Sequence, residues 1–181
     1  MADPEFTLLG DALWLDFVNS ARGRAESPPD LLPTSEAYLR WVGAQHLEIE
    51  NEPPPLSVVR EFRAHLTAIA EALQVGRQPP ASAIAALNPR LARSEGAQQV
   101  TRVGGEWRLR FAPARPGGPL EAIARSAAAT LTDPLGTVRQ CAAEHCSLLF
   151  TDGSAGAGRH WCDTSICGRD ARVERRRGML R

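Results

Sequence analysis

The sequence predicts an α+β fold: a mainly helical N-terminal domain over 1–135 carrying one small β-hairpin, then a compact cysteine-rich finger over 136–181. Three observations lead there. Apolar residues recur at helical spacing over 35–47, 56–75, 82–93 and 120–131. Two short strand-forming runs flank Gly104-Gly105, a two-residue hairpin signal. All four cysteines, Cys141, Cys146, Cys162 and Cys167, fall in one stretch as C-x4-C, fifteen residues, then C-x4-C.

Taken in order, 1–6 carries no assignable role. Leu13, Trp14, Leu15, Phe17 and Val18 are too dense for a one-faced surface helix, so this stretch is a buried strand or short helix that turns polar at Asn19. Asp16 and Asn19 stand inside the apolar run and need partners if buried. Two readings stand open for them: capping or turn formation, and contact with a small-molecule ligand. Ser27-Pro28-Pro29 marks a loop, after which Thr34 or Ser35 caps a helix to 47 with Tyr38, Leu39, Trp41, Val42 and Leu47 as its apolar face. Three prolines at 53–55 break it. The helix over 56–75 turns Val58, Val59, Phe62, Leu66, Ile69, Ala70 and Leu73 inward and stops at Gly76. Pro79-Pro80 opens the helix over 82–93, with Ala83, Ile84, Leu87 and Leu91 inward. His46 and His65 read as helix-surface residues, not ligands. Strands over 97–103 and 106–111 form a half-buried hairpin, with Arg102, Arg108 and Arg110 on its solvated face. The Pro/Gly segment 113–119 is a loop, and an alanine-rich helix over 120–131 ends at Asp133-Pro134.

Composition narrows the function. The 181 residues suffice for one or two small domains with their own core. With 21 basic and 21 acidic residues the formal charge is zero, so the chain as a whole is not a polybasic nucleic-acid binder. Every basic residue is arginine, which removes Schiff-base and Walker-lysine chemistry. With abundant Ala, Gly and Pro, this points to the coding bias of a GC-rich bacterial genome. There is no leader peptide and no apolar run long enough for a bilayer, so the expected location is cytoplasmic, without membrane contact.

In a reducing compartment, clustered cysteines bind metal more often than they form disulfides. Two close pairs suit one tetrahedral zinc ion, while disulfides and an iron–sulfur cluster remain alternatives. Four thiolates leave no open coordination position, so one structural Zn2+ per chain is expected. His145 and His160 are neighbours, not needed as ligands. They, with Arg139 and Arg159, are expected to damp the charge of a doubly negative centre and to donate to sulfur. Val138 to Gln140 enters the first pair as a strand, 147–150 returns from it, and the second pair leads into the helix-forming run GRDARVERRR. A knuckle hairpin followed by a helix carrying the second pair is treble-clef-like.

Cys141, Cys146, Leu149-Phe150, Asp152, Ser154, Arg159, Trp161-Cys162 and Cys167-Gly168 together resemble the CGNR zinc-finger family. The signature reads Cys167-Gly168-Arg169-Asp170 here, so the family's Asn and Arg are replaced by Arg and Asp, and Arg169 stands one place before the family's arginine. The opening GDALWLDFVNS resembles the ABATE domain that accompanies such fingers, a domain associated with stress-induced transcription regulation. That resemblance implies a ligand-sensing or assembly role for 1–135.

No P-loop, dinucleotide fingerprint, H-E-x-x-H or nucleophile elbow is present. An enzyme is therefore not expected. From 169 to 181 there are six arginines against two acids. Arg172, Arg175 and Arg176 share a helix face, with Arg169 one turn earlier and Arg159 beside the second cysteine pair. Guanidinium forks suit phosphates and guanine edges, which makes these five the expected DNA-contacting residues. A solvated tail, or charges offsetting the zinc centre, is the plainer reading of the same residues. The expected function is a bacterial transcription regulator that binds DNA through the finger, with a homodimer raising avidity. The alternative is a small-molecule-binding or protein-interaction protein whose zinc site is purely structural.

Overall fold

A computed structural model of the chain describes residues 6–49, 52–93, 96–114, 117–134, 137–153 and 158–179; the side chains at 98, 103, 109–111, 113 and 174–179 lie outside the description. Among these residues the fold is α+β, with six helices and two separate two-stranded antiparallel sheets. In chain order they are α1 (Leu13–Asn19), α2 (Ser35–Ala44), α3 (Leu56–Gln74), α4 (Ala81–Ala92), β1 (Gly96–Val103), β2 (Glu106–Pro113), α5 (Pro119–Thr132), β3 (Thr137–Gln140), β4 (Leu149–Asp152) and α6 (Cys167–Met179).

The dense apolar run at 13–18 becomes the short helix α1, buried from Trp14 to Asn19, because too few of its residues are polar to give it a solvent face. Trp14, Leu15, Phe17 and Val18 are fully buried. Each such side chain contributes about 1.5–3 kcal/mol of burial free energy, which outweighs the weak propensity of a two-turn helix. Phe17 meets the rings of Trp41 from α2 and Phe62 from α3 at centroid distances of 5.4 Å and 6.4 Å. Trp14 satisfies its indole by donating to Thr130 Oγ1 of α5 at 2.9 Å. Helices α2, α3 and α5 thus meet α1, α4 packs on α3 and α5, and the predicted stripes are buried, including Val59, Phe62, Leu66, Ile69 and Ala70 of α3 and Ala83 and Leu87 of α4.

Local signals set most boundaries. Thr34 accepts the Ala37 N–H as N-cap of α2. Gly76, at φ 67°, lets Arg77 N–H reach Ala72 O and closes α3. Helix α2 ends at Ala44 and not at 47, because His46 takes the left-handed conformation (φ 55°) ordinarily left to glycine and sends Leu47 N–H back to Val42 O. Pro119 belongs to α5 and not to the preceding loop: it occupies the first turn, where a missing N–H costs nothing. The returning strand β4 begins two residues later than expected. The hairpin forms as predicted about Gly104 and Gly105 (φ 59° and 89°), but it is not half-buried, since Val100 is 66% and Trp107 71% exposed.

The finger is not a free appendage. Val138 of β3 and Leu149 of β4 belong to the same core as α1 and α3. The edge of β4 that faces away from β3 is covered by the N-terminal segment: Ser147 N–H donates to Gly23 O (2.9 Å) and Thr151 N–H to Gly10 O (3.0 Å). Between them Asn19 takes both polar groups of Leu149, accepting its N–H at Oδ1 (2.9 Å) and donating from Nδ2 to its carbonyl (2.8 Å). An asparagine amide has the donor and acceptor of a peptide, so here it substitutes for one strand residue and caps an edge that would otherwise stay open.

Candidate metal centre

Strand β3 runs directly into Cys141, whose N–H donates to Leu148 O at 2.9 Å and so closes the first knuckle. His145 supplies the tight turn in a left-handed conformation (φ 62°), and Cys146 N–H reaches back to Ala143 O. The second knuckle is joined to the first by Ala142 N–H to His160 O at 2.8 Å. Asp163 then caps the approach to α6, its Oδ1 accepting from Ser165 and Ile166 N–H and from the Ser165 hydroxyl. These bonds, the serine hydroxyl first, hold its carboxyl below the usual range. Helix α6 starts on Cys167 itself. Gly168 follows because a Cβ there would stand 3.3 Å from the Trp161 indole packed on this turn.

The four cysteines converge: one Sγ from each of Cys141, Cys146, Cys162 and Cys167 lies within 4.8 Å of all the others, and all four are buried. Cys162 Sγ is 3.6 Å from that of Cys167 and 4.0 Å from that of Cys146. Sulfurs around tetrahedral zinc at about 2.3 Å stand about 3.8 Å apart, so the cluster has the dimensions the ion requires. A disulfide needs about 2.05 Å, and all four cysteines are free. Four thiols in one dry cluster cannot all ionise without a cation. Hydrogen bonding from Cys162 lowers the Cys146 thiol to about 5, the same contact pushes Cys162 up, and burial raises Cys167 to about 12. A dication in their midst removes that conflict, because it binds the thiolates themselves. The site is a structural zinc site, one per chain.

The neighbouring cations do not donate to sulfur in the contacts described. Arg139 Nε pairs with Asp152 at 3.2 Å. Arg159 donates from Nε to Trp161 O at 2.8 Å and from its other nitrogens to Cys162 O and the Asp11 carboxylate, while its guanidinium lies 4.5 Å over the Phe150 ring. Its backbone N–H caps Asp152 Oδ2 at 2.8 Å. His145 is exposed beside Glu144, and His160 sits edge-on to Trp161. The motif residues Phe150, Asp152, Arg159 and Trp161 therefore form one network bracing the second knuckle; Ser154 lies outside the described residues.

Asp16 and Asn19 are 8% and 1% exposed. Asp16 Oδ1 accepts Gly10 N–H at 2.8 Å and Oδ2 accepts Gln45 Nε2 at 3.2 Å, and burial raises its carboxyl above the ordinary value. Both residues act as internal connectors, Asp16 to Gly10 and Gln45 and Asn19 to Leu149. The clefts of 280 Å3 beside Asp11 and 440 Å3 beside the first knuckle are lined by other residues. Sequence reasoning missed the network next to them. Arg63, 7% exposed in the apolar stripe of α3, donates to Ser20 Oγ (2.8 Å) and to both oxygens of Asp30 (2.8 and 2.6 Å). The available signal was an arginine inside a core-facing stripe, which has to find a buried acceptor.

Along α6, Arg169 and Arg172 are exposed; Arg169 lies 3.6 Å from Asp170, and Arg172 makes one long contact to Thr164 O. The side chains of Arg175 and Arg176 lie outside the described residues. Among the described residues no helix is long and apolar enough to cross a membrane.

Comparison with known families gives two matches. Residues 11–134 match the ABATE model, described as "Putative stress-induced transcription regulator", and residues 137–178 match the CGNR zinc finger. No curated protein matches the chain.

Proposed function

Since the chain belongs to the ABATE family and ends in a CGNR zinc finger, we propose that it is a bacterial transcription regulator that binds DNA through the arginine-bearing helix of that finger. The observation supporting this is the start of α6 on the zinc ligand Cys167, with Arg169 and Arg172 exposed one turn apart immediately after it. The metal thereby fixes the orientation of a helix whose next turn carries Arg175 and Arg176 in sequence. Guanidinium groups held this way meet phosphates at little further cost in side-chain order. Arg159 is left out of this surface, because its guanidinium already bridges two carbonyls and a carboxylate. The N-terminal body would sense a ligand or carry assembly in the cytoplasm. The gathering of all four thiols at zinc, where none serves as a nucleophile, supports a binding role over a catalytic one.

Anisotropy of labelled duplex DNA with the zinc-loaded full-length chain, over a salt series, tests this. Each phosphate contact contributes about −0.9 to the slope of log K against log salt. Replacing Arg169 and Arg172 by Ala should weaken binding across sequences and flatten the slope by about 2, and the same holds for Arg175 and Arg176. Affinity that these substitutions leave unchanged would sink the proposal. A second reading, the zinc site as a brace only, is favoured by the shared core of β3, β4 and the N-terminal body. It is the one left if no salt-dependent binding appears.

A further inference from the structure

We propose that the outer edge of β2 docks an extended, acidic segment of a partner protein, which adds to the β1–β2 hairpin as a third strand. Among the described residues the two eight-residue strands pair only with each other, in unbroken register from Gly96 with Pro113 to Val103 with Glu106. A lone two-stranded sheet is marginal in water, and its open edges offer unpaired peptide groups to any incoming strand. The two-residue turn makes Val103 and Glu106 the first hydrogen-bonded pair, so the N–H groups pointing away from β1 are those of Trp107, Leu109 and Phe111.

The side chains define the occupant. Trp107 is 71% exposed and Val100 66%, and the ladder sets Arg102 opposite Trp107, with its guanidinium 5.8 Å from the indole centroid. On the alternate register stands Arg108, with a side chain 61% exposed and paired with Glu106 of the same strand at 3.0 Å, a surface pair that an incoming carboxylate has to displace. Along 106–111 the sequence is E-W-R-L-R-F, with apolar residues alternating with arginines. A strand alternating apolar and acidic residues complements that pattern, with an apolar contact at Trp107 and a carboxylate at Arg108, each such cross-strand pair being favourable. A second copy fits worse, because centring the pairing of like edges on residue 108, 109 or 110 sets arginine against arginine, and only a short overlap centred on 107 sets Glu106 against Arg108. Nucleic acid could stack on Trp107 but has no peptide groups for the open edge. The inference does not depend on DNA binding by α6.

The test is anisotropy of a short labelled peptide alternating valine and glutamate, with a valine–lysine peptide as control, on the zinc-loaded full-length chain. The glutamate peptide should bind and the lysine peptide should not. Arg108→Glu and Leu109→Pro, the second of which removes an outward N–H without touching the ladder, should each weaken binding about tenfold. Arg108→Glu changes one exposed side chain, so circular dichroism will confirm its fold and keep its result interpretable. Absence of glutamate-peptide binding, or equal binding of both peptides, would overturn the proposal. So would oligothymidylate binding lost in Trp107→Ala, or a dimer lost in the same two variants, where the peptide itself does not bind.

Discussion

The side-chain amide of Asn19 holds both backbone groups of Leu149 across 130 residues of chain, with both hydrogen bonds buried. One end of this contact lies in the buried helix α1 and the other three residues past Cys146 of the first zinc knuckle, so the N-terminal core and the metal centre share a single strand edge. Gly10 and Gly23 make the flanking bonds to the same edge through their backbone, Gly10 with its carbonyl and Gly23 with its carbonyl and with its N–H to the Ser147 hydroxyl. Arg22 adds one side-chain donor to Ser147 O at 3.3 Å, whereas Asn19 supplies both the donor and the acceptor of a peptide.

Asn19→Asp is therefore predicted to be far from conservative. The carboxylate still accepts Leu149 N–H, but it loses the donor and sets a negative oxygen against the buried Leu149 carbonyl. An unsatisfied buried polar group costs about 1–3 kcal/mol, more when it is charged, so a loss of about 3 kcal/mol is expected. Urea denaturation of the zinc-loaded variant measures it. A midpoint equal to that of the parent chain would mean the two hydrogen bonds carry no stability.

Zinc removal should reach the N-terminal core. Leu149 and Val138 lie within that core, while Cys141 and Cys146 hold the knuckle between them. A chelator should lower the unfolding temperature reported by Trp14 and Trp41, both buried far from sulfur in sequence, in one transition with the far-ultraviolet signal. Buried-tryptophan fluorescence that ignores the chelator would show the finger to be an independent unit. The same argument predicts that a 1–135 fragment is poorly folded, since it leaves Asn19 and the core side of β3 and β4 uncovered.

The metal centre was legible in the sequence because zinc demands four ligands at short spacing, which cysteine spacing displays directly. Helices α3 and α5 were legible because their apolar stripes match the helical period. The end of α2 was not, since His46 does a glycine's work and no local rule marks it. The role of Asn19 was visible only as a need: a polar residue inside an apolar run must find a partner, but periodicity cannot say that the partner is 130 residues away. The contacts of Arg159 were hidden for a similar reason. Beside zinc ligands an arginine suggests phosphate, and only the fold reveals Trp161 O, Cys162 O and Asp11 around it.

Two carboxylates should give opposite responses to acid. Hydrogen bonds from Arg63 hold Asp30 below its usual 3.8, so the stability it contributes is complete above 3.8 and is lost as the pH falls through its lower folded value. Burial raises Asp16 above 3.8, so its ionised form penalises the fold at neutral pH, and that penalty is relieved as the pH falls through the raised value towards 3.8. The stability gap between the parent chain and Asp30→Asn should therefore close in acid. The gap to Asp16→Asn should move in the parent's favour over the same titration. Denaturation midpoints across a pH series measure both, and parallel profiles for all three proteins would contradict this assignment.

Two glycines should respond to alanine with opposite signs. A Cβ at Gly10 would lie 2.8 Å from Leu15 Cβ and 2.9 Å from Asp16 N, both fixed by the buried helix α1. Gly10 also donates to Asp16 and accepts from Thr151, so moving it away would break the N-terminal cover of β4. Gly10→Ala is expected to cost about 2–3 kcal/mol, in the range of overpacking a tight core. At Gly43, in the last turn of α2, a Cβ meets nothing within 4 Å. Gly43→Ala there removes unfolded-state entropy and gains helix propensity, so it should stabilise by about 0.5–1 kcal/mol. Thermal and urea denaturation of the two variants, prepared side by side with zinc bound, decide the matter. A stable Gly10→Ala protein would mean that the close approach of the N-terminal segment to α1 is absent in solution, and with it the hydrogen bond from Thr151 that covers the end of β4.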